Sequence, residues 1–131
     1  MKTWAESQRE FMRAGGQTTK GFNEDQLIRY LDHVMEEAHE TLKDWAKRDM
    51  TMVADGLADT IVVCMGAMLS MGLDPDDIML AVLSANARKI VNGEVYRRED
   101  GQIGKPPGWY GPEAEIAEFI RIASHDARGI A

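Results

Sequence analysis

From Met50 to Ala87 the chain carries no lysine or arginine, yet two aspartates, Asp55 and Asp59, stand inside its most apolar part. The stretch ADGLADTIVVCMGAMLSM reads as one helix from about Thr51 to Met71 that is apolar nearly all round, so more than one neighbour must cover it. Asp55 and Asp59 are four residues apart and share a face with Met52, Val62, Val63 and Gly66. An unpaired buried carboxylate costs several kcal/mol or takes up a proton. With no basic residue nearby in sequence, the pair needs a partner from elsewhere.

That partner is sought in VMEEAHETLKDW, residues 34 to 45. On a helix, Glu37, Glu40 and Asp44 fall on one face, with His33 one turn earlier and Glu36 at the edge. The like-charge pairs Glu36 to Glu40, Glu40 to Asp44 and Glu37 to Glu40 each cost a few tenths of a kcal/mol, which Lys43 and Lys47 offset only in part. Alone this is a solvated acidic face. Set against Asp55 and Asp59 it reads as the other half of a cation site, with Glu36, Glu37 and Glu40 across a helix pair from the two aspartates. Such an all-oxygen set suits a hard ion, Mg²⁺ or Mn²⁺, better than Zn²⁺. Asp44 reads as solvated, and His33 and His39 as surface histidines.

The rest of the chain is helical in pattern. A first helix from Thr3 to about Arg13 stops at Gly15 and Gly16, and a loop follows to Gly21. Asn23 caps a second helix, with Gln26 at the capping-box position. In it Leu27, Leu31, Val34, Ala38, Leu42 and Trp45 recur at spacings of three and four, a stripe predicted to face a core. Asp74 and Pro75 open a helix expected to run to about Val91, where Asn92 and Gly93 stop it. A glycine- and proline-rich arm with basic and aromatic residues spans 94 to 112, and a last helix spans Glu113 to Ala127. No convincing strand pair is seen. The expectation is an all-α single domain over 1–131, an antiparallel four-helix-bundle-like fold with an ordered basic arm, completed by a second copy of the chain.

Fifteen Lys and Arg against 22 Asp and Glu leave a net charge of −7, which argues against a nucleic-acid polymer as ligand. A small phosphate compound accompanied by a metal stays open. Cys64 is the only cysteine, so no intrachain disulfide forms and a reducing cytoplasm fits. The N-terminus lacks the apolar run of a signal peptide, and the apolar stretch at 60–73 falls short of the ~20 residues of a membrane span, so no membrane partner is expected.

Taken in order, QREFMRAGGQ at 8–17, the EExxE element at Glu36, Glu37 and Glu40, DGLADTIVV with Asp55 and Asp59, ANARK with Asn86 and Lys89, and RREDGQIGKPPGW at 97–109 resemble the MazG-like, all-α nucleoside triphosphate pyrophosphohydrolases. That family includes relatives of phosphoribosyl-ATP pyrophosphohydrolase. One departure is that many members carry ExxD in the second element, whereas Gly56 stands three before Asp59. The resemblance implies Glu37, Glu40 and Asp59 as metal ligands, Asp55 as a displaced ligand or a supporting group, and Glu36 as base or further ligand. It implies hydrolysis between the α and β phosphates with two or more Mg²⁺ or Mn²⁺ ions. Asn86, Lys89, Arg97, Arg98 and Lys105 are the candidates for the phosphates, and Phe11, Gln17 and Trp109 for base and sugar. A homodimer or homotetramer is expected. Two alternatives stand beside this reading: phosphoribosyl-ATP as substrate, and a non-catalytic, cation-binding helical module for oligomerisation or nucleotide sensing.

Overall fold

A computed structural model describes residues 1–127 of the chain. The elements are α1 (Trp4–Ala14), α2 (Glu24–Ala46), α3 (Met50–Ser70), α4 (Pro75–Ala87), β1 (Ile90–Val91), β2 (Glu94–Val95) and α5 (Glu113–Ala127). The all-α expectation holds apart from the small strand pair.

Local chemistry starts each of the first four helices. Thr3 Oγ1 accepts from Glu6 N while the Glu6 carboxylate accepts from Thr3 N, both at 3.1 Å, a reciprocal capping box. Asn23, Asp49 and Asp74 cap α2, α3 and α4 with their side-chain oxygens, and Pro75 takes the first position of α4. Gln26 does not complete a box with Asn23. Its amide turns inward, donating to Thr18 O and Ser70 Oγ at 2.8 Å each and accepting from Thr18 N at 3.0 Å. It thereby ties the loop after α1 to the end of α3.

The central unit is the antiparallel pair α2 and α3, and two glycines set how closely they approach. A Cβ on Gly66 would lie 2.2 Å from Tyr30 Cε1, and one on Gly56 would lie 2.2 Å from Thr41 Oγ1. Either is closer than a real Cβ tolerates, so only glycine admits the facing side chain at these points. With the Gln26–Ser70 bond, these contacts fix one continuous register along both helices. Three interface hydroxyls satisfy themselves inside their own helices: Thr41, Thr60 and Ser70 each donate to the carbonyl one turn back at 2.7 Å.

This choice of face overturns one expectation. Leu27 packs against the core and Val34 is half-buried, but Leu31, Leu42 and Trp45 are at least half exposed, so most of the apolar stripe of α2 does not face the core. The residues turned to α3 are Gln26, Tyr30, Glu37 and Thr41, because they fit the glycine-lined groove and the leucines do not. The core proper is small. Met12 of α1, Tyr30, Ala67 and Leu69 form it, with Leu27 and Val63 packed against it.

α3 is likewise covered less than its composition predicts. Its second half is buried under α1 and α2, whereas Met50, Met52, Leu57 and Ile61 lie open. At 21 residues it extends beyond the 60–73 stretch and is long and apolar enough to cross a membrane by length and composition. Asp55, Asp59 and the close contacts with α2 belong to that same helix. Cys64 is half-buried on it, and burial pushes its thiol up, which suits a packing residue rather than a nucleophile.

α4 ends at Ala87, not near Val91. Asn92 and Gly93 are both left-handed (φ 52° and 78°), which makes them the two-residue turn of a hairpin pairing Ile90 with Val95. A strand pair therefore exists where none was expected. The arm continues this pairing through an Arg97–Ile103 bridge and is ordered.

Candidate active site

Interpolating the register between Tyr30–Gly66 and Thr41–Gly56 sets Glu37 across from Asp59 and Thr60. Gly56 lies in the same turn as Asp55 and Asp59, so the close backbone approach occurs where the acidic residues face one another. Glu37 is half-buried. Its carboxyl is held above the ordinary carboxylate value, first by partial desolvation and then by the charges of Asp59, Glu40 and Asp55, with His33 pulling the other way. Three of the other expected carboxylates thus act on Glu37, Glu40 from its own helix and Asp55 and Asp59 from the facing one.

Glu36 is placed apart. Its Oε2 lies 3.4 Å from His33 Nδ1 and both side chains are well exposed. Asp44, read as solvated, is half-buried at the far end of the same face.

The donor set suits a hard divalent cation: four oxygen-bearing side chains, with no lysine or arginine among the groups acting on Glu37. Among the described residues, no three His, Cys, Asp or Glu side chains converge closely enough to hold an ion as they stand. The fit is one of chemistry and electrostatic demand, and closing on an ion requires the exposed Glu40, Asp55 and Asp59 side chains to change rotamer.

The raised value of Glu37 fixes the sign of a pH effect. The folded chain holds this proton more tightly than the unfolded chain, so the favourable contribution is full below the ordinary carboxylate pKa and is lost as pH rises through the raised one. In metal-free protein, Glu37→Gln should therefore raise the thermal midpoint by a few degrees at about pH 7, and the gain should vanish near about pH 4. Differential scanning calorimetry at the two pH values checks this.

Phe11 and Gln17 come together beside the acids. They line a cleft of about 300 Å³ with Gln8, Gln26, Arg29, Tyr30, His33, Val62 and Val63. The Tyr30 hydroxyl donates to Gln17 Oε1, and burial raises its pKa against the lowering effect of bonds to Gln17 and Gln8. His33 lines the cleft and also acts on Glu37, so the cleft adjoins the carboxylates. A volume at the low end for ligand sites, walled by an aromatic ring and amides, suits a nucleobase. Gln8, Arg29 and Tyr30 escaped the sequence reading, and His33 was read there as a surface histidine. A signal for them existed: Gln26, Tyr30, His33 and Glu37 follow one another at turns of α2, so the acidic face continues into the cleft.

Trp109 is placed elsewhere. Its indole N–H donates to Ala85 O at 2.8 Å, and Lys89 Nζ and Lys105 Nζ lie over its ring, 5.3 Å and 5.1 Å from the centroid. Lys89 also donates to Asn86 Oδ1 at 3.2 Å, which gathers Asn86, Lys89, Lys105 and Trp109 at the end of α4. Arg97 donates to Gly101 O at 2.8 Å and Arg98 pairs with Asp100, so both guanidinium groups brace the turn of the arm. Among the described residues no salt bridge joins any of these cations to the four carboxylates.

The family model for phosphoribosyl-ATP pyrophosphohydrolase matches residues 7–86. The matched stretch holds the four carboxylates and the whole cleft, and it stops at Asn86, before Lys89 and the arm. A comparison with curated proteins found no match.

Proposed function

This chain belongs to the phosphoribosyl-ATP pyrophosphohydrolase family, of MazG-like all-α architecture, and hydrolyses a nucleotide pyrophosphate bond; we propose that the nucleotide is a (deoxy)nucleoside triphosphate, cut between its α and β phosphates to monophosphate and pyrophosphate. The observation that carries this reading is the cleft of Phe11, Gln17 and Tyr30 lying next to the carboxylates of Glu37, Glu40, Asp55 and Asp59. A base seated in the cleft brings its own phosphates to the acids. Membership of a hydrolase family sets aside the non-catalytic module.

In this reading Glu37, Glu40 and Asp59, with Asp55 beside them, hold Mg²⁺ or Mn²⁺, two or more per site. The ions, when bound, neutralise phosphate charge and make a bound water more acidic. Tyr30, Gln8 and Gln17 orient the nucleoside, and Phe11 covers its face. Glu36 is not among the charges that act on Glu37 and takes the proton of the attacking water. Lys89 and Lys105 supply positive charge for the departing pyrophosphate, and Asn86 a neutral amide donor. Arg97 and Arg98, engaged in the turn of the arm, drop out of that role.

A panel of ribo- and deoxynucleoside triphosphates with Mg²⁺ and with Mn²⁺, resolved by ion-exchange chromatography, tests the proposal. Monophosphate and pyrophosphate are expected; diphosphate and orthophosphate would overturn it. The second reading, phosphoribosyl-ATP as substrate, has the description of the matching family in its favour. That substrate carries one further phosphate, and Arg29 is the one lysine or arginine lining the cleft that could meet it. Including it in the panel decides between the two by relative kcat/KM.

A further inference from the structure

His33 stands where the two halves of the site meet, and hydrolysis as proposed gives it no task. It lines the cleft and its charge acts on Glu37, a combination found in no other lining residue. Along α2 it is the last cleft residue before the acids, about 4.5 Å of helix rise beyond Tyr30 and about 6 Å short of Glu37. Its ring is held from two sides. Nδ1 faces the Glu36 carboxylate at 3.4 Å, and the ring stands edge-on to Tyr30, with centroids 6.4 Å apart and planes at 68°. Nε2, the other ring nitrogen, makes no hydrogen bond among the described residues, and the side chain is 56% exposed. The polar groups around it are engaged or set further back. Gln26 is spent on Thr18 and Ser70, Gln17 and Tyr30 bond to each other, and Arg29 lies one turn further from the acids. From α3 the cleft is lined only by the apolar Val62 and Val63.

We propose that His33 reads the sugar, with Nε2 bonded to the 3′-hydroxyl of the bound nucleotide. This rests on the seating proposed above: with the base in the cleft and the phosphates at the acids, the sugar is the part that passes His33. Of the sugar hydroxyls, the one on C3′ is nearer the phosphate-bearing carbon, and His33 is the α2 cleft residue nearest the carboxylates. Ribo- and deoxyribonucleotides both carry it. A hydroxyl donates and accepts, so it pairs with Nε2 whether or not that nitrogen holds a proton. Turned to Val62 and Val63, the same hydroxyl would lose water and gain no partner, which sets the edge of the sugar that faces α2.

The four 2′-deoxynucleoside triphosphates and their 2′,3′-dideoxy counterparts, offered to the full chain with Mg²⁺, test the contact. The wild type should favour the 3′-hydroxyl compounds about tenfold in kcat/KM, the worth of one hydrogen bond. His33→Phe keeps a ring beside Tyr30 without its nitrogens and should bring that ratio to about one, whereas His33→Gln, which offers a donor and an acceptor, should restore part of it. A role exerted only through Glu36 would lower kcat for both sugars and leave the ratio unchanged, which overturns the proposal. So does a wild-type ratio near one, or a preference that persists in His33→Phe. Isothermal titration with the matching 5′-monophosphates reads the same preference in Kd without turnover. A chain that shows it there, loses it in His33→Phe and cleaves no triphosphate upholds the sugar contact and sinks the triphosphate reading. A chain that binds neither series of monophosphates overturns the contact as well.

Discussion

Asp59→Asn leaves a folded helical chain whose turnover falls by about 10³-fold. The side chain is exposed and makes no side-chain hydrogen bond among the described residues, so its replacement by an isostere costs the fold little. What it removes is one of the negative charges facing Glu37. Glu37 then moves down toward the ordinary carboxylate value, because Asp59 is the largest charge acting on it. The variant should thus be as stable as the wild type or slightly more so, yet inactive, which separates a site residue from a structural one. Glu37→Gln should behave alike, and the two together should lose little more than either alone, as the proposed single cation site requires. The measurements are kcat/KM at saturating Mg²⁺ and circular dichroism. Near-wild-type turnover by Asp59→Asn, with loss confined to Asp44→Asn, would sink the assignment.

Gly56→Ala should cost both stability and activity. An alanine in mid-helix ordinarily gains about 1 kcal/mol over glycine from helix propensity. Here its Cβ would lie 2.2 Å from Thr41 Oγ1 and 3.3 Å from Thr41 Cβ. Relieving that overlap by spreading α2 from α3 costs about 1–3 kcal/mol, so the net change is a destabilisation that lowers the midpoint by several degrees. The spreading acts at the level where Glu37 and Glu40 face Asp55 and Asp59, and a shift of this kind is worth about 10²-fold in rate. Thr41→Ala removes the offending oxygen. In the Gly56→Ala background it should restore most of both quantities, while alone it should be nearly silent; a double-mutant cycle reads this coupling directly. Gly66→Ala, against the Tyr30 ring, has no such cheap relief, since three ring carbons would lie within 2.2 to 2.6 Å of the new Cβ.

The residues readable from sequence were those whose role is decided within a turn or two. Asn23, Asp74 and Pro75 announce helix starts because a cap answers to its own next few residues. Asp55 and Asp59 stood out because no local residue could pair with them, and that chemical need led to Glu37 and Glu40. The face of α2 was misread because Gly56 and Gly66, on a different helix, decide which side chains can approach. The leucines exceed Tyr30 and Thr41 in hydrophobicity, but Tyr30 and Thr41 fit the groove. The end of α4 was misplaced for a related reason: Asn92–Gly93 marks both a helix stop and a hairpin turn, and only pairing of Ile90 with Val95 tells them apart. Trp109 could not be assigned from sequence, since its partner, the carbonyl of Ala85, lies 24 residues back.

The anchoring of the arm has an entropic consequence. Trp109 is fastened to Ala85, and Arg88 stacks on the Tyr110 ring at 4.0 Å while donating to Tyr110 O at 3.1 Å. Tyr96 N donates to Lys89 O at 3.2 Å. A loop of this length, left free, would surrender about 1–2 kcal/mol of backbone freedom for every residue ordered when an anion arrived. Here that freedom has already been given up in folding. In the proposed reading Lys105 would meet a phosphate as part of the same solid piece as Lys89 and α4, with nearly all of the Coulomb attraction they offer left to appear as binding.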